Sequence, residues 1–314
     1  MISYLAFMAT LAGIYALLSI ALVVVWGQGG MVNLGLVGFY ALGAYASALV
    51  AGAAAPIWFA WLCAAALPAA IALVLCYVTR TLRGDYLAIV SLGFAEVVRL
   101  VAMNETWLTG GSDGLSGIRS PMKAELGGWH PAFYLLLTWL IVAVVAFALS
   151  RLLRSPYGRA LRAVRDDDQV AAVAGKPVLP LKLKTFCLGC AIAGLAGALY
   201  GHLTSYISPD GFVPLLTTYI FLAVTAGGHT RIAGAIAGAI LVVSVLELTR
   251  FAAAALPGLD AVRVASLREV VIAAALIAVM QRMPQGLFRI KNESSRPAQA
   301  DPAAPHPPSD GDSR

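Results

Sequence analysis

Apolar runs of about twenty residues recur along most of the 314-residue chain. A helix needs about 20 predominantly apolar residues to cross the hydrocarbon core of a bilayer. Nine stretches reach or approach that length: 3–26, 33–52, 57–79, 86–103, 132–150, 184–205, 214–230, 233–250 and 268–283. Continuous apolar runs span as helices, because a helix satisfies its own backbone where no water is present. The expected fold class is therefore all-α, a polytopic transmembrane helical bundle of about 8–10 membrane segments. Composition agrees. Charged residues make up 12% of the chain and hydrophobic ones 60%, with mean hydropathy +0.82. Soluble domains carry about 25% charged residues.

The runs are not all regular. The second holds Gly35, Gly38 and Gly43 and follows Gly27-Gln28-Gly29-Gly30. It reads as a broken or re-entrant element, which is tolerated only where the backbone is buried in protein or lines a cavity. The seventh and eighth runs flank Gly227-Gly228-His229-Thr230-Arg231, and either can be short. The first run begins at Ile2 with no basic leader and is long enough to span, so it is read as a retained helix. Residues 1–290 form the expected membrane domain. Residues 291–314 are rich in Pro, Ala, Ser and Asp and are expected to be a disordered cytoplasmic tail.

Charge placement orients the bundle. Segment 151–184 carries eight Lys/Arg against three Asp, whereas 104–130 carries Arg119 and Lys123 against Glu105, Asp113 and Glu125. Basic residues in short loops stay inside, so 151–184 and the C-terminus are expected in the cytoplasm. The net charge of +6 belongs to such loops, and no nucleic-acid partner is expected. Cys187 and Cys190 form a C-x-x-C without a second ligand pair. They are read as packing residues, and no metal is expected.

One segment stands apart from the apolar runs. Residues 155–175 carry the pattern of a capped, charged helix, which cannot lie in lipid. Ser155 suits the N-cap, Pro156 the first helical position and Gly175 the C′ position, before Pro177. Arg159, Arg162 and Arg165 form a basic stripe, with Arg162 and Asp166 spaced to pair. Tyr157, Leu161, Val164 and Ala171 form an apolar stripe. Physics leaves two readings open here: an element that docks a partner, or a solvated helix held by lipid phosphates.

The order of motifs adds a resemblance. Gly158-Arg159-Ala160-Leu161-Arg162-Ala163-Val164-Arg165-Asp166-Asp167-Asp168, then Ala171-Ala172 and Gly175, resembles the signature of permease subunits of branched-chain amino-acid ABC importers. Gly27-Gln28 through Asn33-Leu34-Gly35 and Gly43-Ala44-Tyr45 resemble an earlier block of that family. So do Arg83-Gly84-Asp85-Tyr86 through Glu96, Thr109-Gly110-Gly111-Ser112-Asp113-Gly114-Leu115, Ala193 through Leu199, and Ile207-Ser208-Pro209. The blocks cover about 20–290 in the family's order and look like its larger, M-type permease. The chain departs from the pattern at His229-Thr230-Arg231, where a small glycine-containing turn is usual, and at Val32-Asn33 and Lys176-Pro177.

The resemblance implies a permease domain with one cytoplasmic coupling helix in the 151–184 loop. It also implies a second permease subunit in a heterodimer, two ATPase subunits and an external or periplasmic solute-binding protein. The cargo would be branched-chain amino acids or a similar small amphipathic solute, and the site the bacterial inner membrane. Coupling would fall to Gly158, Arg159, Arg162, Ala163, Arg165, Asp166, Asp167, Asp168 and Gly175. Translocation-path candidates are Gln28, Asn33, Gly35, Glu96, Arg99, Gly110, Gly111 and Asp113. Glu96 and Arg99 also read as a mutually neutralised pair, and the 109–115 loop as a simple turn. The chain has no G-x-x-x-x-G-K-[ST] loop, so ATP hydrolysis is expected in partner chains, with no cofactor here. The competing readings are an ion-gradient-driven secondary transporter, which would want an unpaired intramembrane carboxylate, and a membrane enzyme, for which no catalytic set is legible.

Overall fold

A computed structural model describes residues 2–53, 55–80 and 84–254, with isolated positions at 270, 273, 274 and 281. Helix α1 (Ile2–Leu22) continues into a π-wound turn (Val23–Gln28). Helices α2 (Leu36–Gly52), α3 (Ile57–Val78) and α4 (Gly84–Asn104) follow. The next connection holds two short helices, α5 (Thr106–Thr109) and α6 (Lys123–Leu126), and strand β1 (Leu115–Ser116) between them. Helix α7 (His130–Arg154) leads into α8 (Pro156–Asp166) and α9 (Asp168–Val173). Helix α10 (Val178–Thr204), strand β2 (Tyr206–Ile207), α11 (Pro214–Gly227) and α12 (Ile232–Ala254) come last.

The fold is all-α apart from the β1–β2 ribbon, in which Leu115 pairs with Ile207. Six described segments are long and apolar enough to cross a membrane: Ser3–Gln28, Ile57–Val78, Tyr86–Asn104, Lys123–Arg154, Val178–Thr204 and Pro209–Gly227. Leu36–Gly52 and Ile232–Leu248 are apolar but shorter. Eight of the nine expected runs are thus helical. The ninth, 268–283, and the 291–314 tail lie outside the described residues but for the isolated positions.

The second run starts later than expected. Its helix has 17 residues, about 25 Å at 1.5 Å per residue, short of a core about 30 Å thick. Residues 29–35 lead into it as non-helical, mostly buried backbone. Local bonds make this possible. The Gly29, Gly30 and Met31 amides donate to Val24, Trp26 and Val25 carbonyls at 3.1, 2.9 and 3.1 Å. Asn33 Oδ1 accepts from the Gly35 amide at 2.9 Å, and Ser91 Oγ accepts from the Leu34 amide at 3.0 Å. The element is broken at its entrance and helical beyond it.

Helices α2, α3 and α10 pack closely on one another, α2 and α10 largely buried and α3 toward the rim. Small residues set their spacing: a Cβ on Gly194 would overlap the Ala64 carbonyl of α3, and one on Gly197 would overlap the Tyr40 carbonyl of α2. Helix α1 lies against α7, α10, α11 and α12. Toward the outside, α3, α4 and α7 present apolar side chains, among them Trp58, Leu62, Ile89, Val97, Leu136 and Phe147. Water would penalise so broad an apolar surface, whereas lipid accepts it. The alternating helices bring the 27–35 break, α8, α9 and the 228–231 turn to one end of the bundle. The β1–β2 ribbon and its loops occupy the other.

Candidate functional site

The charged segment at the first end is built as an elbow of two helices. Ser155 caps α8 as expected: its Oγ accepts from the Tyr157 amide at 3.2 Å and donates to the Leu152 carbonyl at 2.6 Å. The single helix expected over 155–175 is broken at Asp167, which is extended (φ −158°, ψ 114°). Asp167 Oδ1 accepts from the Gln169 and Val170 amides at 2.9 and 3.0 Å, so it caps a second helix. A carboxylate there satisfies orphan amides and meets the positive end of the new helix dipole. Gly175 ends the elbow with φ +73°. Its amide reaches the Ala172 carbonyl at 3.0 Å, and the Lys176 amide reaches Ala171 at 3.0 Å. That is the C′ role the sequence assigns to it.

The apolar stripe faces the chain's own bundle. Leu161, Val164 and Ala171 are buried, and Val164, Ala171 and Leu181 form a cluster against Tyr157, Ala160 and Val178. Tyr157 Oη lies 2.8 Å from Thr185 Oγ1 on α10. Gly158 sits at the corner between α7 and α8, where a Cβ would overlap the Leu153 carbonyl. Its place in the motif therefore serves the corner itself.

The basic stripe is divided. Arg159 is exposed, as is Ala163. Arg162 does not pair with Asp166; its Nη1 donates to the Leu153 carbonyl at 3.1 Å, at the negative end of α7. Asp166 pairs with Arg165 instead, whose Nε and Nη2 donate to Oδ1 at 3.0 and 2.9 Å. The remaining donor, Arg165 Nη1, reaches the Gly27 carbonyl at 2.9 Å. Asp168 accepts from Lys182 Nζ at 2.7 Å, and this bond holds its carboxyl below the ordinary range. Exposed side chains on α9 include Val170 and Val173, the latter 91% exposed.

Arg165 ties the elbow to the break after α1. There Gln28 Nε2 donates to the Thr230 carbonyl at 2.7 Å. The Trp26 ring lies 5.6 Å from that of His229, and a Cβ on Gly27 would overlap the His229 carbonyl oxygen. Burial, and then the Arg165 charge, hold the His229 imidazole pKa below its ordinary value. A cavity of about 400 Å³ opens between the elbow and the break, lined by Gly30, Met31, Arg80, Asp167 and Lys182 among others. His229 and Thr230 were legible only as a departure from a glycine-rich pattern, and Arg80 and Lys182 carried no motif signal beyond their positive charge.

The path candidates do not converge on one site. Asn33 is fully buried; its Oδ1 holds the local turn and its Nδ2 lies 3.9 Å from Cys190 Sγ. Gly35 lets the chain touch α4, since a Cβ would overlap the Ser91 carbonyl. Glu96 and Arg99 form an ion pair on α4, with Arg99 Nε 3.1 Å from both carboxylate oxygens and side chains 37% and 21% exposed. Gly110, Gly111 and Asp113 lie at the opposite end. Gly110 and Gly111 have positive φ, and the Asp113 carbonyl accepts from Tyr206 Oη at 3.0 Å. The 109–116 loop is fastened to β2 and is not a free turn. His202, isolated in sequence, bonds Ser47 Oγ at 2.8 Å and the Arg119 carbonyl.

Comparison with known proteins addresses the same residues. Residues 4–280 match the family model described as branched-chain amino acid transport system / permease component. The chain is 36% identical over 266 residues to the high-affinity branched-chain amino acid transport system permease protein LivM of Escherichia coli K12. It is 35% identical to LivM of Salmonella typhimurium over the same length. The aligned region covers 77% of this chain and 63% of each LivM. Identity to LivH of Salmonella typhimurium is 28% over 308 residues, covering 89% of this chain and 92% of that one. No solved structure matches the chain. With 277 residues inside the family model (4 through 280) and a bundle of membrane-length helices around them, this chain belongs to the branched-chain amino acid transport system permease component family.

Proposed function

We propose that this chain is a permease subunit of an ATP-driven importer in the inner membrane of a bacterium. It forms part of the path for branched-chain amino acids or a similar small amphipathic solute. The elbow of α8 and α9 lies in the cytoplasm and seats against a separate ATPase subunit. The 109–116 loop faces outward, toward a solute-binding protein. A second permease subunit completes a heterodimer, and two ATPase subunits supply the energy.

The observation that carries this reading is the elbow. Two capped helices are locked to the bundle by their own apolar stripe, yet leave Arg159, Ala163, Val170 and Val173 exposed on the side away from it. A mixed charged and apolar surface at a bundle end is suited to a protein partner. ATP-driven closure of the ATPases would displace it, and the displacement would bias the helices between two packed states. The names of the LivM and LivH relatives support the cargo class. The apolar, small-residue helices fit it physically, since an unpaired charge inside them costs several kcal/mol.

The test is reconstitution in liposomes. Leucine uptake should require this chain, a second permease, two ATPases, an external binding protein and ATP. Accumulation by this chain alone on a proton or sodium gradient would turn the reading into that of a secondary transporter.

A further inference from the structure

We infer that Arg165 is a positioning residue for transport. By holding the Gly27 carbonyl, it keeps the break after α1 seated on the 228–231 turn and so closes the elbow end of the bundle. The inference rests on the permease reading above and assigns that site its inner closure.

The bond is of a strong kind. The Gly27 carbonyl lies at the end of the π-wound turn, where intrahelical partners run out. A guanidinium donating to it makes a charge-assisted hydrogen bond. Asp166 accepts from the other two nitrogens of the same guanidinium and fixes its orientation. The link therefore runs from the elbow, through one planar group, to a segment 138 positions away in sequence.

The segment so held is pressed against the opposite side of the end. Three consecutive residues face the same turn: Trp26 against His229, Gly27 against the His229 carbonyl, and Gln28 donating to Thr230. The turn itself has no slack. A Cβ on Gly227 would overlap the Gly234 carbonyl, so α11 and α12 meet backbone to backbone beside it. Whatever moves residues 26–28 away from this turn opens a seam between α1 and the α11–α12 pair.

Two features make such movement cheap. The 23–28 backbone is π-wound, a geometry found as local bulges at functional sites. Gln28 is 6% exposed, and its Oε1 has no partner among the described residues. A buried acceptor left unmade is costly, so the closed arrangement carries an unspent bond that another arrangement can form. The seam would open beside the cavity of about 400 Å³ under the elbow.

The assignment is testable in the full chain without any partner. Ser19 is fully buried on α1, on the bundle side of the break. In a version with Cys63, Cys76, Cys187 and Cys190 replaced by serine or alanine, Ser19→Cys reports access. A bulky, membrane-impermeant maleimide is added to the elbow side of membrane vesicles. Arg165→Ala should speed labelling about tenfold, the population shift for one charge-assisted bond. Gly27→Ala should do the same by forcing the segment off His229. Arg165→Lys, which keeps a donor, should restore most of the slow rate, and Arg159→Ala should leave it unchanged. A second reporter in the opposite half, Ala48→Cys, should stay unlabelled throughout.

Equal labelling of Ser19→Cys with Arg165 and with Arg165→Ala would overturn the assignment. So would a lysine no better than alanine, or parallel labelling of Ala48→Cys, which would mean general loosening. Because no ATPase or binding protein is present, this result is independent of whether reconstituted uptake succeeds.

Discussion

The centre of the bundle and its elbow end are held together by different balances of contact. At the centre, α2 and α10 approach until backbone meets backbone at Gly197, and α10 meets α3 in the same way at Gly194, with one buried polar pair, Ser47 and His202, between α2 and α10. At the elbow, close backbone approaches at Gly27 and Gly158 are joined by several long polar side chains: Arg162 to Leu153, Arg165 to Gly27 and Asp166, Lys182 to Asp168. Backbone contacts have one good arrangement, because dense packing does not deform smoothly. The Arg165 guanidinium is bonded to both a carboxylate and a carbonyl, contacts that can separate without any change in packed backbone. The centre is suited to being a fixed frame and the elbow to being a part that moves.

That contrast is broken most severely from the centre. Gly197→Leu would drive a side chain into the Tyr40 carbonyl and into Ala44 of α2. Overpacking of this kind costs about 1–3 kcal/mol or more, and the chain should fail to give a monodisperse peak after detergent extraction. A normally folded Gly197→Leu chain would mean that the frame is softer than its contacts imply.

The elbow surface should behave in the reverse way. Arg159→Glu and Val173→Asp alter exposed side chains that make no hydrogen bond or ion pair among the described residues, so stability should change by no more than about 0.5 kcal/mol. ATP-driven leucine uptake in the reconstituted importer should nonetheless fall by about tenfold or more, the loss expected when a docking contact worth about 1.4 kcal/mol is removed. Full uptake by both variants, with unchanged thermal unfolding, would remove the docking role from this face and leave the elbow purely structural.

The finest distinction is in pH. The His229 pKa is lowered in the folded chain, by burial first and by Arg165 second. The unfolded chain therefore binds more protons between the folded value and the ordinary one near 6.5. Stability from this group is present above about pH 6.5 and is lost as pH falls below it. Protonation places a second positive charge beside Arg165 at the closure. Labelling of Ser19→Cys, taken at each pH relative to a free thiol because the reactive thiolate fraction falls with pH, should rise modestly as pH falls from 7.5 to 5.5, with the charged and titratable neighbours Arg165 and Asp166 facing the same region. His229→Gln should flatten the profile. A profile that His229→Gln leaves intact would assign the pH response to another group.

Much of the bundle is legible in the sequence alone. Span length is a one-dimensional property, and the caps at Ser155 and Gly175 depend on residues within one helical turn. The broken entrance to α2 was readable from Gly27-Gln28-Gly29-Gly30 for the same reason. The charged face of the elbow was only half legible. A stripe of arginines marks a face by its spacing, but spacing does not reveal whether a partner or the chain itself receives each guanidinium. Two of the three turned inward.

The class of protein, the helical runs and the two ends of the charged 155–175 segment follow from sequence alone, because hydropathy and capping act over short distances along the chain. It took the packed fold to make Asp167 start a second helix, to direct Arg162 and Arg165 to carbonyls of α7 and of the break, and to bring Gln28 to Thr230 across 202 positions. Each of those outcomes is a choice among competing partners of similar strength. The choice is made by which groups the packed helices bring within about 3 Å of one another, and that distance is written nowhere in the local pattern.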